Sequence, residues 1–150
     1  MGSVTDKINE LIELKRKAKE LGGEKNVAKH KEKGKLTARE RLDALFDSGT
    51  FREVDMFVKH RCVNFGMEDI DIPSDGVVTG YGYVEGRPVF AYAQDFTSRA
   101  GSLGEMHAKK ICKIMDMVRF FTGTHYARVS FLKYPPSWVP QPGGPYIHLQ

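Results

Sequence analysis

Hydrophobic residues in the first fifty positions recur at helical spacing. Ile8, Leu11 and Ile12 begin an amphipathic helix, which the glycine pair at 22–23 ends. A second, shorter helix is predicted from Thr37, because Thr-Ala-Arg-Glu is a capping box whose first and fourth side chains satisfy free N–H groups. We expect each helix to pack through one apolar face, the first as a packing or subunit-contact helix.

Two segments carry histidines that have no evident chemical partner. Residues 24–35 are highly charged, and they predict an exposed helix or linker in which His30 is solvated. Residues 51–58 have the composition of a strand, and the loop that follows them contains His60 and Arg61. A lone pair of polar residues in a loop is weak evidence of a site, so these residues are assigned no role.

A β-hairpin is the clearest local prediction. Residues 77–84 and 87–93 have strand composition, and Glu85-Gly86 forms the turn between them. Gly80 and Gly82 lie on one face of the first strand, where we expect another element to cross closely. This Gly-x-Gly is not a dinucleotide fingerprint, because no helix follows it and the third glycine is missing.

The stretch from Asp95 to Asp116 joins the hairpin to a further helix. Ser102 and Glu105 have capping-box spacing and predict a helix that begins at Ser102. Such a helix start presents free N–H groups and the positive end of a dipole, which suit an anion or a polarised carbonyl. The predicted buried face consists of Leu103, Met106, Ile111, Ile114 and Met115. The polar residues on its other faces are His107, Lys109, Lys110 and Lys113.

Composition narrows the functional class. The net charge of the 150 residues is +4, but the charges are interleaved and residues 118–150 contain no acid, so nucleic-acid binding is not predicted. No apolar run could span a bilayer, and the N-terminus does not resemble a secretory leader. We therefore expect a cytoplasmic protein without membrane contact. Cys62 and Cys112 fit neither metal-ligand spacing nor a disulfide framework, so no metal site is expected.

Three segments, in this order, resemble the biotin-dependent acyl-CoA carboxyltransferases. They are GKLTARERLDALFDSGTFREVD, PSDGVVTGYGYVEGRPVFAYAQDFT and GSLGEMHAKK. The family includes the β subunits of propionyl-CoA and acetyl-CoA carboxylases, with methylmalonyl-CoA and glutaconyl-CoA decarboxylase subunits as relatives. Residues 1–116 are interpreted as the N-terminal part of one such domain.

The resemblance implies an α/β fold that is an incomplete crotonase-like (ClpP/crotonase) domain. Its N-terminal helices and β-hairpin would lead into a strand, a turn and a helix. The implied reaction transfers a carboxyl group from carboxybiotin to the α-carbon of propionyl-CoA or acetyl-CoA. The implied partners are the acyl-CoA, the biotin carboxyl carrier and biotin carboxylase subunits, and further copies of the parent subunit. Biotin would be carried by a partner and not bound covalently here.

The resemblance also implies where substrate would bind. In the family, backbone N–H groups stabilise the enolate of the thioester and the ureido oxygen of biotin. The segments that supply most of them, Asp-Ser-Gly-Gly-Ala-Arg and Gly-Pro-x-Ala-Gly-Gly-Ala, do not occur in this sequence, so no catalytic residue is assigned and the chain alone is predicted to be an inactive fragment. The predicted CoA-binding residues, whose glycines allow close approach and whose lysines suit phosphates, are Gly101, Ser102, Gly104, Lys109 and Lys110.

Two alternatives remain at this point. The glycines could serve only to pack the strand against the helix, with the lysines solvated. The whole chain could also be a non-catalytic subunit-interaction module. Ala100 stands where the family usually has glycine, and its methyl group is expected to restrict the turn.

Residues 117–150 are predicted to form an irregular tail. Five of the seven prolines lie between Pro135 and Pro145. An alternative interpretation is a frameshift: the third base of each codon, joined to the first two of the next, allows residues 136–150 to encode AIMGPAAGGAVYSPA, which resembles the family's second glycine-rich segment. One glycine is forced, because the last base of the Trp138 codon joins the first two bases of the Val139 codon.

The frameshift hypothesis predicts the coding DNA. Across codons 114–120, and through the codons that follow, the third bases should be those that spell the family sequence in the shifted frame. Sequencing the gene and its transcript checks this. Third bases that do not spell that sequence would contradict the hypothesis and leave a genuine C-terminal extension.

Overall fold

Residues 3–122, which the computed structural model describes, form four α-helices and one antiparallel sheet. The helices are α1 (Val4–Lys19), α2 (Glu24–Glu32), α3 (Ala38–Leu45) and α4 (Glu105–Thr122), and the strands are β1 (Arg52–Val54), β2 (Val77–Val84) and β3 (Arg87–Gln94). Short 3-10 turns occupy Asn64–Gly66, Pro73–Gly76 and Arg99–Gly101. Residues 117–122 continue α4, so the irregular tail predicted from residue 117 does not begin there. The rest of that prediction lies outside the described residues.

The sheet has the order β1-β2-β3, and helices cover both of its faces. The β2–β3 register pairs Val78 with Ala93 and Gly80 with Ala91, which confirms the hairpin. Successive side chains of a strand point to opposite faces. Val78 and the other residues on its face of the sheet therefore pack against α3. Val77, on the opposite face, lies towards α4. The core on the α3 side consists of Leu21, Ala38, Leu42, Phe46, Val78, Ala91 and Ala93.

The two glycines of β2 allow aromatic rings to lie directly on the strand. A Cβ atom on Gly80 would lie 2.4 Å from the carbonyl oxygen of Arg52, and one on Gly82 would lie 2.8 Å from the Phe46 ring. The rings of Phe46 and Phe51 stack with centroids 5.1 Å apart. The predicted close crossing over this face is therefore confirmed, and the crossing element is the segment between α3 and β1.

A largely buried ion pair joins α3 to β1. Arg39 contacts Glu53 at 2.5 Å, and their side chains are 17% and 7% exposed. The Arg39 guanidinium also donates to the carbonyl oxygen of Ala18 at 3.1 Å, which connects α1 to the same point. Because each partner would be costly to bury alone, the pair fixes how these three elements meet.

Capping explains where the first and third helices begin. Thr37 and Glu40 form the predicted capping box of α3, which confirms that helix start. α1 begins with an equivalent box between Ser3 and Asp6. The apolar face predicted for α1 is present but is not packed over its length: Ile8 is 52% exposed, and only the C-terminal end of the helix is buried.

Two expectations for the polar segments are wrong. His30 is not solvated; it is 8% exposed, and its Nε2 atom lies 3.2 Å from the carbonyl oxygen of Leu36. The strand predicted over residues 51–58 is restricted to Arg52–Val54, because Asp55 adopts a positive φ of 57° that ends the extended backbone.

The packing over β2 predicts the effect of adding one methyl group. Gly80→Ala forces the methyl into the Arg52 carbonyl and the Phe51 ring, so the free energy of unfolding should fall by about 2 kcal/mol or more. Gly66→Ala is the matched control, because among the described residues 3–122 no neighbouring atom lies within 4 Å of a Cβ at that position. Its positive φ should cost only about 1 kcal/mol. Urea denaturation of both variants checks this, and an equal loss in the two would contradict the crossing described.

Candidate functional site

A strained turn before β2 organises the site. Ser74, Asp75 and Gly76 have successive φ values of 56°, 48° and 66°, a left-handed run that only glycine adopts without strain. Ser74 and Asp75 are 3% and 5% exposed, so the turn is held inside the protein. A strained backbone persists only where surrounding contacts determine it.

The first of these contacts is an ionic cap on α4. The Asp75 carboxylate accepts a hydrogen bond from the backbone N–H of His107 at 2.6 Å, within the first turn of the helix. The protein's own carboxylate therefore occupies the positive end of α4. The predicted capping box is wrong: α4 begins at Glu105, and the Ser102 hydroxyl donates to the Arg99 carbonyl oxygen at 2.7 Å.

The second contact comes from a buried lysine. The Lys110 ammonium donates to the carbonyl oxygens of Ser74 and Val77 at 2.8 and 2.6 Å, and to the Ser74 hydroxyl at 2.5 Å. Burial lowers the pKa of Lys110 to about 8, although the carboxylates of Glu53, Asp55 and Asp75 act in the opposite direction. The prediction that Lys110 is exposed is wrong, since it is 2% exposed and its three N–H bonds are all used.

His107 completes this buried polar cluster. It is fully buried, its Nε2 atom lies 3.3 Å from the Gln94 amide nitrogen, and its Nδ1 atom has no hydrogen-bond partner among residues 3–122. Burial lowers the pKa of the imidazole. The buried face of α4 is therefore rotated from the predicted one and consists of His107, Lys110, Ile114 and Val118.

The ligand-binding turn predicted from the sequence lies between β3 and α4. Arg99, Ala100 and Gly101 all have positive φ, with Ala100 at 54°. The Ala100 methyl thus occupies a backbone region that favours glycine, at a cost of about 1 kcal/mol. A Cβ on Gly104 would lie 3.2 Å from the Asp75 carboxylate, so this glycine lets the capping carboxylate approach.

The other predicted lysine lies at the surface beside an acid. Lys109 contacts Glu105 at 2.7 Å, and Glu105 also pairs with Arg61. Both cations lower the pKa of the Glu105 carboxyl. The hydrogen bond from Lys109 is the largest cause. The structure therefore brings Gly101, Ser102 and Gly104 together at the turn, keeps Lys109 exposed one helical turn on, and removes Lys110 to the interior.

A buried carboxylate anchors the start of the same turn. Asp95 is 1% exposed and accepts hydrogen bonds from the N–H and hydroxyl of Thr97 at 2.9 and 2.6 Å. Its second oxygen has no hydrogen-bond partner within the described part of the chain. Burial raises the pKa of Asp95, although the hydrogen bonds from Thr97 and the charges of His30 and Arg39 act against this.

These buried side chains hold the backbone of the turn at residues 74–76 in place and do not activate a nucleophile. Ser74 and Lys110 are within hydrogen-bonding distance, but both are buried and their bonds are directed at the turn itself. Among residues 3–122 there is no cluster of side chains with metal-ligand character. Within the same range, no helix is both long and apolar enough to cross a membrane. Cys62 and Cys112 are exposed and form no disulfide within this described part of the chain.

Comparison with known proteins identifies the family of this chain. Residues 29–126 match the carboxyl transferase domain. The chain is 58% identical over 117 residues to the alpha subunit of methylmalonyl-CoA decarboxylase from Propionigenium modestum, covering 78% of this chain and 23% of that protein. It is 52% identical over 112 residues to the mitochondrial propionyl-CoA carboxylase beta chain of Homo sapiens, covering 73% and 21%.

The fold agrees with a solved structure. The crystal structure of transcarboxylase 12S, a hexamer with methylmalonyl-coenzyme A and methylmalonic acid bound, superposes with a TM-score of 0.79 at 43% identity. That superposition covers 83% of this chain and 24% of the other. The chain therefore belongs to the carboxyl transferase domain family and has the α/β, crotonase-like fold of these enzymes. It spans about a quarter or less of the length of each relative described.

Sequence reasoning missed Asp75, His107 and Lys110 as partners. Asp75 lies just before the strand predicted over 77–84, and Lys110 lies among the polar residues predicted to face away from the buried side of the helix, as lysines usually do. The sequence does contain one indication of the buried face of α4, because His107, Lys110, Ile114 and Val118 recur at helical spacing.

The lowered pKa of the buried Lys110 ammonium predicts how the free energy of unfolding depends on pH. Its pKa is about 8 in the folded chain and 10.5 as the ordinary value, so between these pH values the unfolded chain holds the extra proton. The free energy of unfolding should therefore rise with pH over this window, on the order of 1–3 kcal/mol from this group. Lys110→Met should lose that rise. Other titrating groups are common to both proteins and cancel.

Urea denaturation at pH 7.5 and pH 10 measures the difference. Lys109→Met is the matched control, because Lys109 is exposed on the same helix, and it should keep the pH dependence of the unaltered chain. The same pH dependence in Lys110→Met would contradict the buried ammonium.

Proposed function

We propose that this chain supplies the N-terminal segment of the carboxyltransferase subunit of a biotin-dependent acyl-CoA carboxylase or decarboxylase. The parent reaction transfers a carboxyl group between carboxybiotin and the α-carbon of an acyl-CoA such as propionyl-CoA or acetyl-CoA. In this proposal the chain contributes substrate binding and scaffold, and the reacting groups lie in segments that its sequence does not contain.

One observation carries the proposal. The match to the carboxyl transferase domain runs through α3, the sheet, the turn and α4 without interruption. Relatives matched along this chain include an alpha subunit of methylmalonyl-CoA decarboxylase and beta chains of propionyl-CoA carboxylase. The buried cluster of Asp75, His107 and Lys110 fits a segment whose task is to hold a backbone turn in place.

The proposed ligand contacts are backbone contacts. Gly101 and Ser102 lie in the exposed turn that β3 and α4 fix from both sides, and a glycine there lets a ligand approach the main chain closely. Lys109 is the exposed cation nearest along α4, but it is partly neutralised by Glu105. Lys110 is withdrawn from this set, because it has no free N–H and is not accessible.

The proposed partners follow from the reaction. Biotin would be carried by a biotin carboxyl carrier subunit and charged by a biotin carboxylase subunit, and no residue of this chain is proposed to bind it. The parent subunit is proposed to form a homo-oligomer; the related transcarboxylase 12S is a hexamer. A cytoplasmic location is proposed for the complex.

A second function is favoured by one feature of α1. Val4, Ile8 and Ile12 are 78%, 52% and 55% exposed, so an apolar helix face has no partner within residues 3–122. A large exposed apolar patch marks an interaction surface. On this alternative the chain is a non-catalytic module that associates with other subunits.

Carboxyl transfer distinguishes the two functions. The purified chain should transfer no labelled carboxyl group between biotin and propionyl-CoA, because the glycine-rich segments that stabilise the enolate are missing. A version in which the Asp-Ser-Gly-Gly-Ala-Arg and Gly-Pro-x-Ala-Gly-Gly-Ala regions and the rest of the subunit are restored should be active. Transfer by the unrestored chain would contradict the fragment hypothesis, and an inactive restored protein that is folded would favour the interaction module.

A further inference from the structure

The most exposed large apolar side chain among residues 3–122 stands at the tip of the loop between β1 and β2. Phe65 is fully exposed, and Val63 beside it is 69% exposed. Phe65 has a φ of 58°, a left-handed conformation that costs a residue other than glycine about 1–2 kcal/mol. The chain therefore holds an aromatic ring in water at a conformational cost, and strain of this kind persists only where the surrounding structure imposes it.

The base of this loop is fixed by three contacts, which hold its two ends to each other and to α4. They are the ion pair of Lys59 with Asp71 at 2.8 Å, the approach of the His60 Nε2 atom to the Ile70 carbonyl oxygen at 2.5 Å, and the ion pair of Arg61 with Glu105. Phe65 is thus carried on a short loop with a fixed base. A fixed base reduces the entropy that is lost when a partner buries the ring.

Two acids flank the ring. Glu68 and Asp69 are exposed, and neither forms an ion pair with any residue in the range 3–122. We call Val63, Phe65, Glu68 and Asp69 the acidic tip. Apolar side chains with negative charges beside them suit an apolar pocket that has a positively charged rim. The same negative charges disfavour the anionic surface of a membrane.

A groove of this chemistry lies in the same chain, between α1 and the segment 51–58. Its volume is about 850 Å³, which is large enough to receive a phenyl ring. Its apolar lining residues are Phe51, Met56, Phe57 and Val58. Three exposed cations also line it and form no ion pair in the described part of the chain. They are Lys15, Lys19 and Arg52.

Positive charge exceeds negative charge in this groove. Of its acids, Glu53 is neutralised by Arg39, and Asp55 is neutralised by Lys113, which lies outside the groove lining. Asp43 is then the one lining acid without an ion pair to another residue of the range 3–122, against three such cations. Surfaces of opposite charge steer two molecules together and set how they meet.

We propose that two copies of this chain associate by placing the acidic tip of each in the groove of the other. Phe65 and Val63 contact the apolar lining, and the two acids of the tip pair with the lysines of α1. Val58 lines the groove seven residues before Phe65, at most about 25 Å along an extended chain. Tip and groove can therefore form one self-complementary patch, as a two-fold dimer requires. The inference names a contact surface for the homo-oligomer of the proposed function, and in that respect it rests on that function.

Sedimentation equilibrium of the full chain over a concentration series tests this. The unaltered chain should dimerise, and Phe65→Ser should raise the dissociation constant at least about tenfold, because it removes the aromatic anchor of each contact. Phe120→Ser is the matched control, because that ring is 84% exposed on α4 and belongs to neither surface. It should change the dissociation constant less than about twofold.

A charge exchange tests whether the two surfaces meet each other. One variant combines Lys15→Glu with Lys19→Glu, and the other combines Glu68→Lys with Asp69→Lys. Each alone should dimerise at least about tenfold more weakly, because its tip and its groove then carry the same charge. An equimolar mixture of the two should dimerise about as well as the unaltered chain, since opposite charges again meet in both contacts. Circular dichroism checks that each variant is folded.

The inference is overturned if the chain stays monomeric at every concentration, which would leave the groove to a segment outside this chain. It is also overturned if Phe65→Ser dimerises like the unaltered chain, or if the mixed variants associate no better than each does alone. Binding to phosphatidylcholine vesicles that Phe65→Ser abolishes would assign the ring to a membrane and overturn it as well. None of these results decides the proposed function, which carboxyl transfer in the restored protein tests separately.

Discussion

The hydrogen bond from the His107 N–H to the Asp75 carboxylate is the contact on which the rest of the site depends. It joins the left-handed turn before β2 to the first turn of α4, across 32 positions of sequence. The Lys110 ammonium, one helical turn further along α4, binds the carbonyl groups of the same turn. Charge of both signs is thus satisfied in one buried cluster, which costs less than burying either charge alone.

Placing a carboxylate at the start of α4 changes what that helix can do. A free helix start attracts anions, but here the position is filled from within. The proposed ligand contacts are therefore those of the turn itself, not of the helix start. Under the proposed function, in which positioned backbone groups stabilise the reacting oxygens, the correct placement of a turn matters more than a reactive side chain.

The sequence predicted those parts of the fold that depend on local chemistry. The hairpin, the capping box of α3 and the crossing over Gly80 follow from turn residues, capping spacing and glycine placement, and all are present. The contacts made by Asp75 and Lys110 were not predicted, because their partners lie 32 to 36 positions away.

The burial of His30 was not predicted for the same reason, because His30 contacts the Phe96 ring, which is distant in sequence from its own helix. Of the candidate site, the turn at residues 101–104 could be located from glycine spacing and the family resemblance. The close approach of Gly22, which precedes α2, to Thr97 could not be predicted, because these residues lie 75 positions apart in sequence.

Amide hydrogen exchange at His107 tests the central claim most directly. Asp75→Asn keeps a side-chain acceptor and tolerates a positive φ, whereas Asp75→Ala removes the acceptor and is strained. In Asp75→Ala the His107 amide should exchange at least about tenfold faster, a loss of about 1.4 kcal/mol, while in Asp75→Asn, which keeps an acceptor without the charge, the rate should lie between those of Asp75→Ala and the unaltered chain. Equal protection of the His107 amide in all three proteins would contradict the account.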